Sequence, residues 1–473
     1  MSSTTATPAK AARPMSRRRK TNKDGVAPSP YTVRAALSQG SLTTKLSALV
    51  FGLGNLAHKQ IVKGLVLLAG EILFIWFMAA DGAHNLAMLP SLGDNKGGKQ
   101  LVDGFWEYVP GDNSVVILLY GVCTVAICAV FVLWWALAVR SAYKAECQAR
   151  ENGGRAPELL DDLRDLRDGK VSNLLMALPT LGIVVFTILP LIFMISVAFT
   201  NYDQDHVTLF DWTGLDTFKT VFSGNATGDV NAPLFFSVLG WTLTWAFFAT
   251  FLNFFFGLFM AMIINRKTTH GKGFWRAVFS MSIAVPQFVS LLTMRTMLQP
   301  QGAINRMLMS WGWIDQSLPF FTDTTWARVT VIVINLWVGI PYTIMQVTGI
   351  LQNIPAEQYE AARIDGANWW QIFTKITMPY IIFVLTPYLI TTFTGNVNNF
   401  NVIYLLSQGE PSQVGQSAGK TDLLITWLYK LTVDRGDYNL GAVIGIMTFI
   451  VLAVVALITY RSSGSYKDEE AFR

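Results

Sequence analysis

Long apolar runs separated by shorter polar stretches set the pattern of this chain. Eight such runs, at 61–80, 115–139, 174–199, 234–264, 274–298, 326–351, 376–396 and 439–460, are each long enough for a helix to cross a bilayer core. They predict an all-α polytopic membrane protein with eight transmembrane helices. The predicted order is a basic tail over 1–60, largely disordered at its start, then two helices over 61–139. A linker over 140–173, a six-helix core over 174–460 and a short tail over 461–473 follow. In the linker, "PELLDDLRDLRD" puts Leu159, Leu160, Leu163 and Leu166 on one helical face, which predicts a short helix lying against the rest of the protein. One polar segment breaks the texture between the sixth and seventh runs. In "EQYEAARIDGANWWQIFTKITMP", residues 357–379, charged, small and aromatic residues alternate, with Gly366 in the middle and Pro379 at the end.

Composition strengthens the membrane reading. Hydrophobic residues make up 52% of the chain and charged residues 14%, against about 25% charged in a soluble domain. The net charge of +5 could suggest nucleic acid, but the distribution of charge points elsewhere. Lys and Arg crowd the amino-terminal segment, the 140–173 linker and the stretch around Arg266, Lys267, Lys272 and Arg276. The alternate loops hold only Lys96 and Lys99, Lys219, Arg306, and Lys420, Lys430 and Arg435. Positive loops stay inside, so both termini are expected in the cytoplasm, with membrane lipid and no nucleic acid as the surroundings. No cleavable signal peptide is expected, since the first 60 residues are basic and Ser/Thr/Ala/Pro-rich without an apolar core. Cys123, Cys128 and Cys147 offer neither a disulfide framework nor a metal signature.

Charged residues inside the runs are few. Arg295 and Arg328 lie near span ends, where they can snorkel, and Glu71 is the one carboxylate well inside hydrocarbon. A proton-driven transporter would need a relay of such groups, and a structural pairing is expected for Glu71. "GQSAGKTD", residues 415–422, imitates a phosphate-binding loop but has three residues where four are required between the first Gly and Gly-Lys. No ATPase activity is expected from this chain.

The polar segment is more specific. Pro355 suits a first helical turn, Asp365-Gly366 reads as a helix stop, and residues 367–375 start a second helix that re-enters the membrane. Ala361 and Ala362 give the first helix a smooth face and Glu360 gives it a charge, the shape of a knob for another protein's groove. Glu360-Ala361-Ala362, Gly366 three residues after Arg363, and Ile376-Thr377-Met378-Pro379 resemble the EAA loop of ABC importer permeases, with Met378 in place of the usual leucine. From about residue 170 onward, "NLWVGIPY", "NVNNFNVIYLL", "TDLLITWLYK" and "DYNLGAVIGI" are similar to permeases of the maltose/maltodextrin MalF type. The resemblance implies a type I ABC importer permease fold. It also implies a coupling loop at 355–375 in which Glu360, Ala361, Ala362, Asp365 and Gly366 meet the ATPase. The implied partners are a second, MalG-like permease, two copies of a MalK-like ATPase that carry the ATP and Mg, and an extracellular solute-binding protein. The loop 200–233 is short where MalF of Gram-negative bacteria has a large domain. A bacterial cell membrane of the single-membrane, Gram-positive type and a lipid-anchored binding protein are therefore expected.

A neutral sugar needs amides and hydroxyls converging among aromatic faces. Thr392, Asn396 and Asn399 are spaced to share one helix face, and Asn335 sits beside Trp337 and Gly339. From the residues alone, these groups serve a sugar or bond helices to one another. The resemblance implies a substrate site at Thr392, Asn396, Asn399, Asn335, Val338, Gly339, Ile283 and Gln287. Ile283 replaces a tyrosine there and Gln287 a serine, so an aromatic face is expected to be lost and a longer amide gained. The expected function is import of maltose/maltodextrin-type oligosaccharides. The alternatives are another oligosaccharide, a stand-alone secondary sugar transporter, and a membrane enzyme. The enzyme would need clustered ionisable groups, whereas His58, His84, His206 and His270 are scattered singly.

Overall fold

In the computed structural model, residues 31–102, 105–151, 171–222, 230–266 and 268–462 are described. Among them, seven helices are long and apolar enough to cross a membrane: Ile61–Met88, Ser114–Arg150, Leu175–Val197, Ala232–Asn265, Thr324–Asn353, Trp369–Leu406 and Tyr438–Ile458. The predicted span at 274–298 is not a single rod. Its helices Lys272–Ala284 and Gln287–Met297 meet at 84°. The cause is Pro286, which has no N–H to donate and holds Val285 in an extended conformation (φ −79°, ψ 125°). The described fold is otherwise helical except for an antiparallel hairpin, Gly98–Val102 with Phe105–Val109, and an isolated bridge between Thr200 and Trp212.

The described chain forms two units. The first holds residues up to His84 together with Cys123–Ile183. Part of the segment read as a tail is ordered here, in three short helices, Val33–Gln39, Leu42–Leu46 and Leu53–Ala57. Polar composition concealed them, although Thr32 and Ser41 cap the first two with their side chains. The helix Ser114–Glu151 also runs on into the predicted linker, and its buried Glu146 holds the second short helix in place. The carboxylate accepts the Ser41 N–H (2.9 and 3.1 Å) and the Thr44 hydroxyl (2.6 Å), and pairs with Arg150. Glu71 has the structural role expected of it, accepting the Phe51 N–H at 2.8 Å. Phe131 packs between Phe51 and Phe74 beside it. The leucines at 159, 160, 163 and 166 lie outside the described residues, as do residues 1–30.

The second unit comprises Asn85–Val122 and the chain from Val184 onward. Its organising element is Ala232–Asn265, which contributes to three buried clusters in turn. Leu234, Phe235 and Val238 enter one, Trp241, Trp245, Ala246 and Ala249 the next, and Phe254, Leu258, Ala261 and Ile264 the last. Asn231 caps this helix by accepting the Leu234 N–H. It packs on Thr324–Asn353 at points where small residues allow close backbone approach. A methyl at Gly257 would collide with Thr343, and one at Gly339 with the Asn253 amide. Arg328 lies with its guanidinium 4.6 Å from the Trp241 ring centroid and donates to the Lys420 carbonyl.

The segment that imitates a phosphate-binding loop is a structural knot. The Asp422 carboxylate, fully buried, accepts the Gly419 N–H (2.7 Å) and the Thr426 hydroxyl (2.8 Å) and pairs with Lys430 (2.6 Å). Burial pushes this carboxyl above the ordinary range for aspartate, against the pull of Lys430 and the two donors. Its oxygens are therefore committed inward and none is offered to a phosphate or metal.

The Glu146 cluster gives a direct test. Glu146→Ala removes a charged acceptor from two buried donors, a loss of about 2 kcal/mol. The short helices Val33–Gln39 and Leu42–Leu46 should then open locally. Trypsin should cut the purified protein after Arg34 and Lys45 several times faster than wild type, and an unchanged cleavage rate would remove Glu146 as the clamp.

Candidate transport site and coupling loop

Polar groups in the second unit gather where its membrane helices are interrupted. The first interruption is the bend at Val285-Pro286. Ile283 and Gln287 flank it and line a cavity of about 140 Å³ with Val338, Trp337 and Tyr342 from Thr324–Asn353. The second is Pro341, which lies inside that helix. Its missing N–H leaves the Trp337 carbonyl without the usual helical partner, at the wall of the same cavity. The third is the end of Met378–Val397 at Asn398, after which Asn399 caps Phe400–Leu406 by accepting the Val402 N–H (3.2 Å).

Asn396 and Asn399 belong to one hydrogen-bonded group. Asn399 donates to the Asn396 side-chain oxygen (3.3 Å), and Asn396 donates to the Thr250 hydroxyl (3.0 Å). The Trp245 indole donates to the Asn396 carbonyl (3.1 Å). One turn further along Ala232–Asn265, Asn253 faces Gly339 and donates to the Ala249 carbonyl (2.6 Å). Among the described residues, the buried Asn253 Oδ1 and Asn335 Nδ2 have no hydrogen-bond partner. Thr392 is half-buried one turn before Asn396.

The eight sequence-derived positions thus fall into two neighbourhoods. Ile283, Gln287 and Val338 share the cavity at the bend, while Asn396 and Asn399 join the central helix through Thr250. Asn335 and Gly339 lie along the helix that walls the cavity, with Gly339 against Asn253 on its other side. The aromatic face expected to be missing at Ile283 is supplied from the adjacent helix by Trp337 and Tyr342, both exposed. Sequence reading passed over Tyr342, although it stands seven residues after Asn335 and on the same helical face. It also passed over Thr250 and Asn253, hidden in the phenylalanine-rich "FATFLNFFFG".

The segment expected to couple to the ATPase has the predicted shape. Ala356–Ile364 is a helix, and Gly366 turns the chain at φ 77°. The Ala367 N–H donates back to the Ala362 carbonyl (2.9 Å) and the Gly366 N–H to that of Arg363 (3.1 Å). Nothing crowds the Gly366 Cα, so its backbone angle and not its size demands glycine. Asn368 and Gln371 exchange side-chain-to-backbone bonds of 2.9 and 2.8 Å as a capping box that starts the next helix. The Tyr359 hydroxyl meets that of Thr377 at 3.2 Å, tying the loop to the span that follows. Glu360, Ala361 and Asp365 are exposed, Ala362 is half-buried, and Ile364 at the tip is 86% exposed. A cavity of about 610 Å³ opens beside this loop, between Tyr359, Glu360 and Arg363 and the end of the central helix at Asn265 and Arg266. It is larger than the cavity at the bend.

Comparison with known proteins decides the family. Residues 253–464 match the family described as the binding-protein-dependent transport system inner membrane component. The galactooligosaccharides transport system permease protein GanP of Bacillus subtilis is 34% identical over 438 residues, 90% of this chain and 98% of GanP. The chain belongs to the binding-protein-dependent ABC permeases. The maltodextrin transport system permease protein MalC of Streptococcus pneumoniae is 33% identical over 90% of this chain and 96% of its own. A crystal structure of a bacterial alginate ABC transporter, in complex with a periplasmic protein bound to an alginate pentasaccharide, superposes with a TM-score of 0.52. It is 23% identical and covers 64% of this chain and 97% of the matched one. That likeness carries the fold, an ABC importer permease. This protein is a multi-pass permease subunit of an ABC sugar importer, of the MalF type.

In this permease the contact of Gly339 with Asn253 can be tested. Gly339→Ala places a methyl against the buried Asn253 amide, which is held to the Ala249 carbonyl. Overpacking of this kind costs about 1–3 kcal/mol, so the purified permease should unfold at a temperature several degrees lower. A Gly339→Ala protein as stable as wild type would show that the two helices are not held at this distance.

Proposed function

We propose that this permease carries maltodextrin-type oligosaccharides inward past the bend at Pro286 and the Asn396–Asn399 pair. The cavity walled by Gln287, Trp337 and Tyr342 is the observation that carries this reading. It combines aromatic faces, a side-chain amide and a freed carbonyl without an ionised group, a set suited to a neutral sugar. Its relatives are named for maltodextrin and for galactooligosaccharides alike, and the likeness to GanP supports galactooligosaccharide as the second reading. Gln287 and Ile283 favour a substrate other than plain maltose.

The subunit works with a second, MalG-like permease, two copies of a MalK-like ATPase that bind ATP and Mg, and a lipid-anchored extracellular binding protein. Exposed Ile364 and Glu360 on the coupling loop fit a cleft on the ATPase, whose closure moves the loop. Both termini and the coupling loop lie in the cytoplasm of a bacterium with a single, Gram-positive type membrane, in keeping with the distribution of Lys and Arg. Orientation is read by labelling intact protoplasts with an impermeant maleimide. Ser412→Cys, at an exposed position between the last two spans, should react, and native Cys147 should not. Labelling of Cys147 would reverse the topology.

Uptake by the reconstituted complex separates the two roles. Asn396→Ala loses a sugar hydrogen bond and the bond to Thr250, so stability falls slightly while the sugar concentration needed for half-maximal uptake rises several-fold. Glu360→Lys should abolish sugar-stimulated ATP hydrolysis in complexes that still assemble. If Asn396→Ala lowers stability alone, the asparagines bond helices and do not meet sugar. Preference between glucose-based and galactose-based tetrasaccharides, measured on the same vesicles, decides between the two substrate readings.

A further inference from the structure

Immediately beyond Asn399, the helix Phe400–Leu406 carries a cluster of rings outside the buried cores. Phe400 and Tyr404 stack with centroids 4.7 Å apart at 20°. Tyr429 closes the group, 4.9 Å from Phe400 and 5.0 Å from Tyr404. All three are half-buried. Their surroundings are polar. The Arg295 guanidinium donates to the Gln408 side chain at 2.6 Å, and Lys430, next to Tyr429 in the chain, donates to the Gln408 carbonyl at 2.8 Å. Gln408, four residues beyond Tyr404, and Lys430, beside Tyr429, bring hydrogen-bonding groups next to the rings along the chain. Aromatic faces edged by planar hydrogen-bonding groups are what a pyranose needs, with C–H groups on its faces and hydroxyls around its rim.

We propose that Phe400, Tyr404 and Tyr429 form a second sugar subsite, a stacking platform for the hexose units that follow those held at Asn396 and Asn399. This inference rests on the reading that the asparagines meet sugar. Five residues of helix separate Asn399 from Tyr404, a rise of about 7.5 Å, which is longer than one hexose ring. A disaccharide at the asparagines leaves the platform largely empty, whereas a tetra- or pentasaccharide covers it. The platform therefore sets chain length, while the cavity at the bend sets the kind of sugar. It also gives a sliding oligosaccharide a surface without deep wells, because stacking tolerates displacement along the ring faces better than hydrogen bonds do.

The test uses the full complex in proteoliposomes and a ladder of oligosaccharides from two to five units, in whichever hexose series wild type transports. Tyr404→Ala should lower the ratio of pentasaccharide to disaccharide uptake about fivefold, and Tyr404→Phe, which keeps the face, should restore most of it. Arg295→Gln at the rim should lower the same ratio, which keeps the test open if Tyr404→Ala does not assemble. A wild-type ratio in Tyr404→Ala, or in Arg295→Gln where Tyr404→Ala is not obtained, would overturn the proposal. Asn396→Ala should depress every length alike. Its silence beside a length-selective Tyr404→Ala would remove the asparagine site and leave the platform standing.

Discussion

A helix inside a bilayer must satisfy its own backbone, because no water is present to do so. Wherever a membrane helix stops or kinks, polar groups are released, and they persist only if they cap, bond to a neighbour or line a cavity. Among the described residues of this permease's second unit, three such places carry the candidate substrate residues. Ile283 and Gln287 flank the 84° bend, Val338 and Gly339 lie beside the carbonyl released by Pro341, and Asn396 and Asn399 bracket the break at Asn398. Asn399 shows the logic most directly. Its side-chain oxygen satisfies the Val402 N–H, which would otherwise be an orphan donor, while its amide N–H₂ turns back to Asn396. The same residue closes a helix and presents a polar group.

Around these interruptions the packing is rigid. Ala232–Asn265 and Thr324–Asn353 touch at Asn253 with Gly339 and, one turn on, at Gly257 with Thr343. Small residues at matching intervals on both helices let the backbones approach closely. Contrast is supplied by Asn253 Oδ1 and Asn335 Nδ2, an acceptor and a donor buried without partners at this seam. Unmade hydrogen bonds of this kind cost about 1–3 kcal/mol each, so the seam is tight but not fully satisfied.

Apolar run length made the spans legible, since hydrophobic thickness is a crude, additive property of sequence. The 84° bend was not read, although "AVPQ" contains its cause, because a hydropathy window sums over proline. The backbone shape of residues 355–375 was legible, since Pro355 and Asp365-Gly366 are local signals that need no tertiary partner. By contrast, the short helix Leu42–Leu46 is held through Ser41 and Thr44 by Glu146, about a hundred residues away, and no local signal reports that contact. Tyr342 was missed for a similar reason. Its role becomes visible only once the bend brings Ile283 and Gln287 to the same wall.

The second helix of the predicted coupling loop and Asn396 lie on one continuous stretch of helix. From Trp369 to Asn396 the chain runs 28 residues without leaving helical geometry, a rise of roughly 40 Å. It is softened at two points, a wide turn over Phe373–Thr377 and Pro387 inside Met378–Val397. At the loop end, the Asn368–Gln371 capping box and the contact of Tyr359 with Thr377 fix the loop to this rod. At the far end, the bond from Asn396 to Thr250 fixes the rod to the central helix. The loop's second helix is thereby joined to the central helix through continuous backbone, with those two soft points between them. Asn396 is held there by two neutral hydrogen bonds, from its amide to Thr250 and from the Trp245 indole to its carbonyl. Each is worth under about 1 kcal/mol between membrane helices.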